Sequence, residues 1–185
     1  PPYASIGQQT RGVFAGGDKV ADYLVKMAQV GIAGGAVLGT WGQFGIGPVW
    51  SHVKAEIDTG SQALPEGSDN TSGIRARLFV DQMDHAYWPR NGIAATGSAY
   101  AALDAFGSTQ SYQRLEGNVR WARSWGEHTV QVALAGGTDL GSDMPAYESL
   151  TLGGPLRLSG YRINQFAGRQ MALGRLMYYK RIFPL

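Results

Sequence analysis

The sequence predicts an all-β fold, an antiparallel up-and-down β-barrel that crosses a membrane. Apolar and polar residues alternate along several stretches, which is the pattern of strands with one apolar face. These stretches run to about ten residues or more, as a tilted strand needs to cross a bilayer, whereas ordinary strands average about five or six. The connections alternate between short turns and long loops, which is typical of the two rims of a membrane barrel.

Composition narrows the function classes. The chain has 185 residues, with 16 Lys and Arg against 14 Asp and Glu, a net charge of +2 that is too weak to indicate a nucleic-acid partner. It contains no cysteine, which excludes disulfides and thiolate metal sites. No apolar run approaches the ~18 residues that would indicate a membrane helix.

The N-terminal part is predicted to contain two elements. Residues 1–19 form a strand or loop, and their start has no basic region followed by an apolar core, so it does not resemble a signal peptide. Residues 20–39 form a long strand, because each of their several glycines would cost about 1 kcal/mol inside a helix. The three- and four-residue spacing of Asp22, Lys26 and Gln29 leaves a helix open for the first half of this segment.

The next strand, 44–58, alternates clearly. One face carries Trp50, His52, Lys54, Glu56 and Asp58, and the other carries Val49, Ser51, Val53, Ala55 and Ile57. Residues 61–72 are polar and rich in turn formers, which predicts a loop.

Four further strands follow, around residues 74–81, 93–104, 114–121 and 129–134. Their polar faces, like that of 44–58, carry charges of both signs and are predicted to face inward: Arg75, Arg77 and Asp81; Arg114, Glu116 and Arg120. Aromatic residues gather near strand ends, where they predict interfacial girdles: Trp41, Trp50, Tyr87, Trp88, Tyr112, Trp121 and Trp125.

The last part of the chain is dominated by a glycine-rich loop. Residues 138–167 contain Gly153-Gly154-Pro155, which interrupts both helix and regular strand. The loop also carries many apolar side chains, so it is predicted to fold back onto the molecule rather than extend into solvent. Residues 168–185 form the following strand.

Four features carry a resemblance: the strand connection after β-strand residues 74–81, the segment Pro145-Ala146-Tyr147-Glu148 followed by Leu152-Gly153-Gly154, the tip Leu158-Ser159-Gly160-Tyr161, and Tyr178-Tyr179-Lys180. In this order they resemble the bacterial surface antigen barrel, the membrane domain of outer-membrane assembly factors and two-partner secretion transporters. A strand connection is similar to the Asp-x-x-Asp, Pro-x-x-Gly pattern of the family, with Asp81, Asp84, Pro89 and Gly92. The loop resembles the sixth extracellular loop of that barrel, which folds into the lumen. Its motif comprises Gly153, Gly154, Arg157, Leu158, Ser159, Gly160, Tyr161 and Arg162.

One position departs from the assembly factors. Their loop tip carries an arginine that reaches an acidic site on the inner wall, and Ser159 stands in that place here. The Leu-Ser-Gly-Tyr tip, with Tyr-Tyr-Lys-Arg downstream, is most similar to the barrel of patatin-like autotransported phospholipases. The resemblance therefore implies that Tyr161 and one of Arg157 or Arg162 hold the loop inside the lumen, with Asp81 and Glu116 as candidate partners.

The family barrel has sixteen strands and this chain supplies about eight, so the resemblance implies a segment of a larger barrel. The chain stops at 183–185, where a turn is expected. Geometry leaves a closed eight-stranded barrel open as an alternative. A soluble β-rich binding domain, with its polar faces in water, is the second alternative.

The sequence shows no catalytic, metal or cofactor motif. The histidines His52, His85 and His128 are far apart, and there is no Gly-x-Ser-x-Gly nucleophile elbow. The segment is therefore predicted to be an anchor or translocation barrel without a cofactor rather than an enzyme, with any lipase domain lying upstream. The resemblance implies a bacterial outer-membrane location, contact with the lipid bilayer and insertion by the barrel assembly machinery, and it leaves a homodimer open.

Overall fold

The computed structural model describes residues 2–15, 18–60, 67–155 and 157–182. Eight antiparallel strands follow one another in chain order across one sheet. Their bounds, with two short additional strands that also pair with β4, are β1 Pro2–Ala15, β2 Asp18–Ile32, β3 Gly34–Leu38, β4 Gly42–Gly60, β5 Gly67–Asn70, β6 Gly73–Asp81, β7 Gly92–Ala102, β8 Tyr112–Trp125, β9 His128–Thr138 and β12 Gln170–Lys180.

This sheet confirms the predicted all-β, up-and-down fold of about eight strands. No pairing joins β1 to β12 within the described residues, so the sheet is open and the closed eight-stranded alternative is not formed. Residues 20–32 belong to a strand, and the helical alternative for the first half of 20–39 is wrong. Within the described residues, no helix has the length and apolar character needed to cross a membrane.

The loop predicted at 61–72 is shorter than expected. Gly67–Asn70 form β5 and pair with residues 52–55 of β4, and Thr71 donates its backbone N–H to the Ser51 carbonyl at 2.9 Å. Residues 61–66 of this predicted loop and the turn expected at 183–185 lie outside the described residues. The polar side chains of 67–70 predicted a loop. A short strand that pairs with the far part of β4 needs no apolar face, so these residues form a strand although they are polar.

The connections lie on two rims. One rim carries the connections after β7 and β9, residues 103–111 and 139–169, and the other carries the tight turns at 39–41 and 126–127. A membrane barrel typically carries short turns on one rim and long loops on the other. Here the longer connection 82–91 lies on the second rim, so that rim does not consist of short turns alone. We call residues 139–169 the inner loop.

The sheet curves around its polar face. A cavity of about 730 Å³ is lined by Tyr3 of β1, by Arg77 and Glu116 of the middle strands and by Met171 of β12. In a flat sheet, β1 and β12 would lie about 34 Å apart at ~4.8 Å per strand. One cavity can touch both strands only if the sheet bends toward this face. We call it the inner face, because the inner loop also covers it.

The outer face carries a continuous apolar band. Its members extend from β2 to β12, with Ile46 of β4 at 47%, Leu134 of β9 at 59% and Leu176 of β12 at 73% exposure. The band also includes Val30, Phe44, Trp50, Ile74, Leu78, Ile93, Leu115, Val119, Trp121 and Tyr178. Apolar side chains directed outward and polar ones directed inward are the reverse of a soluble sheet and are typical of a barrel wall in lipid.

The polar side chains do not all lie on the inner face, and the prediction that the polar face of 44–58 points inward is wrong. Gly47 pairs with Arg75, so Val49, Ser51 and Val53 lie on the inner face with Arg75 and are buried. His52, Lys54 and Glu56 therefore project outward, beyond Trp50. The outer face of β4 thus changes from apolar to charged at Trp50, which is the position of an interfacial aromatic residue.

Two of the predicted girdle residues also lie elsewhere. Tyr112 is 2% exposed on the inner face and packs edge-on against Tyr100 at 5.7 Å between ring centroids. Trp88 packs against Tyr179, an inner-face residue of β12, with ring centroids 5.7 Å apart. The sequence could not distinguish these rings from girdle residues because both kinds lie near strand ends.

Candidate functional site

The inner loop is held at its base by Asp139 and Arg169. These residues follow β9 and precede β12, so the pairing of the two strands brings them together. The Arg169 guanidinium donates to the Asp139 carboxylate, and the Asp139 backbone N–H donates to the Arg169 carbonyl at 3.1 Å. The Arg169 hydrogen bond, assisted by the Gly141 N–H, lowers the pKa of Asp139.

A second contact ties the middle of the loop to the sheet. Glu148, in a 3-10 turn at Ala146–Glu148, accepts a hydrogen bond from Arg114 of β8 at 2.5 Å. Arg114 also lies 2.7 Å from Glu116 on its own strand, so one guanidinium serves two carboxylates. The side chains of Arg114 and Glu148 are 19% and 12% exposed, which limits solvent screening of this pair.

Leu150 is the apolar anchor of the loop. It begins the short strand β10, Leu150–Leu152, which pairs with β11, Phe166–Gly168, inside the loop. Leu150 is 3% exposed and lies over Gly137 of β9, where an added Cβ would lie 2.9 Å from the leucine methyl groups. Gly137 therefore leaves the space that Leu150 occupies on the inner face.

The glycine-rich tip packs mainly on itself. Gly153, Gly154 and Gly160 have positive φ angles of 134°, 98° and 95°, which favour glycine. Tyr161 packs edge-on against Phe166 at 4.9 Å, and its carbonyl accepts the Gly154 N–H at 3.3 Å. Among the predicted motif residues, Tyr161 thus contributes to the fold of the tip.

The predicted acidic partners have other contacts. Asp81 accepts the Met83 backbone N–H at 3.0 Å at the end of β6, and Glu116 pairs with Arg114. Among ion pairs between described residues, none involves Arg157 or Arg162. Arg157 does line the 730 Å³ cavity together with Glu116, so it lies over the inner face.

The strand-connection motif builds a turn that reaches across the same face. The Asp84 carboxylate accepts the N–H groups of Arg90 at 2.8 Å and Asn91 at 2.9 Å. Burial of this carboxylate opposes its ionisation, but these hydrogen bonds outweigh burial and lower the pKa of Asp84. Pro89 is buried, and its carbonyl accepts the Tyr179 hydroxyl. The connection 82–91 therefore ties β6 and β7 to β12.

Sequence reasoning missed the residues that hold the loop, namely Asp139, Glu148, Leu150, Arg169 and their strand partner Arg114. A signal for one pair was present, since Asp139 and Arg169 carry opposite charges just outside two strands expected to pair. The pairing of Glu148 with Arg114 has no such signal in the sequence, because only the path of the loop brings Glu148 to Arg114. Within the described ranges, no group of three or more His, Asp or Glu side chains could hold a metal ion.

The arrangement is an apolar outer band, a polar inner face and a loop fastened over that face. A family model described as the Omp85 superfamily domain matches residues 18–179, from the first residue of β2 to the last but one residue of β12. No curated protein matches the chain. The matched superfamily contains bacterial surface antigens and outer-membrane assembly proteins, which points to the bacterial outer membrane and to a role in assembly or transport. The chain therefore belongs to the Omp85 superfamily.

Proposed function

We propose that the chain is the outer-membrane anchor and translocation barrel of a patatin-like autotransported phospholipase. The tip residues Leu158, Ser159, Gly160 and Tyr161 resemble that branch, with Ser159 in place of the arginine of assembly factors. The observation that carries the proposal is the way in which the loop is held. Its base and middle are fastened through Asp139 and Glu148, whereas no described ion pair locks the tip to the wall.

A loop fastened in this way suits an anchor. The apolar outer band would remain in lipid, and the inner loop would occupy the face around which the sheet curves. An attached lipase domain would supply the chemistry, and the barrel would supply only membrane attachment and passage. The soluble β-domain alternative requires the exposed apolar band to face water, which is unfavourable over so continuous a surface.

One observation favours a second candidate, an assembly factor or two-partner transporter. Arg157 of the inner loop and Glu116 of the wall line the same 730 Å³ cavity. Contact between the two would substitute for the arginine that Ser159 replaces. In that case Arg157 would act in transport and not only in stability.

The two candidates differ in what the outer membrane of producing cells contains. For the anchor, we expect phospholipase activity in outer membranes carrying the full-length protein, released by protease while residues 18–179 stay in the membrane. Absence of lipase activity from these membranes would contradict the proposal. Arg157→Ala, with Arg162→Ala as its control, separates the alternative: only a transport role predicts that Arg157→Ala alone lowers the outer-membrane level or secretion of other proteins.

A further inference from the structure

Aromatic and basic side chains gather on the outer face of β8, β9 and β12, close to the second rim. Residues that pair directly across an antiparallel sheet point to the same face, so they form rows. Two such rows lie here, and we call their members the rim patch: Arg123, Val130 and Tyr178, and, nearer the rim, Trp125, His128 and Lys180.

The rim patch begins where the apolar outer band ends. On β8, Trp121 belongs to the band, and the next outward residue is Arg123. On β12, the exposed Leu176 is followed at successive outward positions by Tyr178 and Lys180. A change from apolar to aromatic and then basic side chains is typical of the level of the lipid headgroups.

The rim patch carries an excess of positive charge. Lys180 lies 3.7 Å from Glu127 of the β8–β9 turn, and both side chains are more than half exposed. Arg123 is also exposed, and its guanidinium forms no ion pair with another described residue. Glu127 therefore balances at most one of the two basic groups.

The two basic side chains border one region of the surface. Arg123 and Lys180 are two strands and one row apart, so their backbones are about 12 Å apart at ~4.8 Å per strand and ~3.4 Å per residue. The His128 ring stacks on Tyr178 with centroids 5.9 Å apart, and the His128 Nδ1 lies 2.5 Å from the Tyr178 hydroxyl. This pair forms a fixed aromatic surface beside Val130, whose short side chain separates it from Arg123.

The chemistry of the rim patch suits a lipid headgroup. Guanidinium and ammonium groups donate charge-assisted hydrogen bonds to phosphate oxygens. Tryptophan and tyrosine favour the headgroup level, where one edge of the ring is apolar and the other is in contact with water. A free anion would need no apolar surface beside it, whereas a lipid with its phosphate at Arg123 would place its acyl chains along Trp121 and Leu176.

We propose that Arg123 and Lys180 bind the phosphate of one membrane phospholipid, whose acyl chains lie along Trp121 and Leu176. Trp125 and the stacked pair of His128 and Tyr178 flank the headgroup. The site assigns one lipid to one place on the outer face, beyond the general contact of the band with the bilayer. It does not rest on an attached phospholipase, so a failed lipase assay has no bearing on it.

Two lipids that differ in their phosphate test the site on the unmodified protein. Native mass spectrometry measures the binding of dioleoyl phosphatidylglycerol and of dioleoylglycerol to full-length protein in a maltoside detergent. We expect one phosphatidylglycerol to bind about tenfold more tightly than dioleoylglycerol, because only the former accepts charge-assisted hydrogen bonds. Equal affinities would overturn the site. Millimolar inorganic phosphate should leave the lipid bound, and its displacement would indicate a site for a free anion and contradict the proposal.

Substitutions locate the site. R123Q should weaken the binding of phosphatidylglycerol about tenfold. R120Q should leave it unchanged, because Arg120 lies on the inner face of the same strand. K26Q removes an exposed outer-face charge far from the rim patch and controls for general attraction of an anionic lipid.

Heat-dependent gel mobility establishes that each variant is folded, and the comparison of the two lipids tests the proposal even if R123Q does not fold. Unchanged binding in folded R123Q, or an equal loss in R123Q and K26Q, overturns the assignment.

Discussion

Glu148 of the inner loop and Arg114 of β8 form an ion pair of 2.5 Å that joins the loop to the inner face of the sheet. The acid comes from the loop and the base from the wall, the opposite of the arrangement that the loop motif implied. Because both side chains are largely buried, removal of one charge leaves the other poorly compensated. The chain contains no cysteine, so a spin label at Ser159→Cys reports loop motion without background.

Glu148→Gln should loosen the inner loop. Loss of a partly buried charged hydrogen bond costs about 1–3 kcal/mol, so the open population should rise by roughly 5- to 150-fold. We expect a larger mobile component in the spectrum of the spin label. Glu116→Gln is the matched control, since Glu116 contacts the same arginine without belonging to the loop. An equal effect of the two substitutions would show that the loop does not depend on Glu148.

The fastening of the loop base should depend on pH through Asp139. Its pKa is lowered, so its contribution is complete above the unfolded-state value of about 3.9 and is lost as pH falls through the folded-state value. The label should therefore be immobile and unchanged from neutral pH to about pH 5 and become mobile below about pH 4. Asp139→Asn should give a mobile loop throughout this range. If the variant shows the same pH profile as the parent, Asp139 does not fasten the loop base.

Gly92→Ala should destabilise the strand connection. Gly92 has a φ of 127°, and an added Cβ would lie 2.1 Å from the Gln82 carbonyl oxygen. A residue forced into this conformation costs about 1–3 kcal/mol, so the urea midpoint of unfolding should fall. Gly97→Ala on the same strand is the control, because an added Cβ there would lie 3.8 Å from the Leu78 Cβ, an ordinary contact distance. Equal midpoints for the two variants would mean that the connection relaxes without cost.

The outer band should reject charge more strongly than the inner face. Leu134→Arg places a guanidinium on the outer face and should destabilise the protein folded in vesicles by about 2–4 kcal/mol. Thr96→Arg places the same side chain beside the 730 Å³ cavity and should cost much less. Unfolding by urea measures both. A larger loss for Thr96→Arg would contradict the assignment of the two faces.

Much of the fold follows from alternation. In β6 and β8, the positions of Arg75, Arg77, Glu116 and Arg120 could be assigned to the inner face because apolar residues occupy every second place between them. In β4, alternation continues beyond Trp50, but the outward-facing residues there are polar or charged rather than apolar. No local pattern reports that boundary; only the register with β6 does.

The sequence by itself determined most of the strand segments, the alternation of their faces and the family, the last through the residues of the strand connection and the loop. Only the tertiary structure decided how the inner loop is held, because Asp139, Glu148, Arg114 and Arg169 meet through strand pairing and loop path. The same reason explains why Arg120, Arg157 and Arg175, which are separated along the chain, line one cavity: β8, β9 and β12 are neighbours in the sheet and the inner loop returns over them. Local periodicity specifies which face a residue occupies, whereas contacts across the sheet depend on register, curvature and the return of the loop.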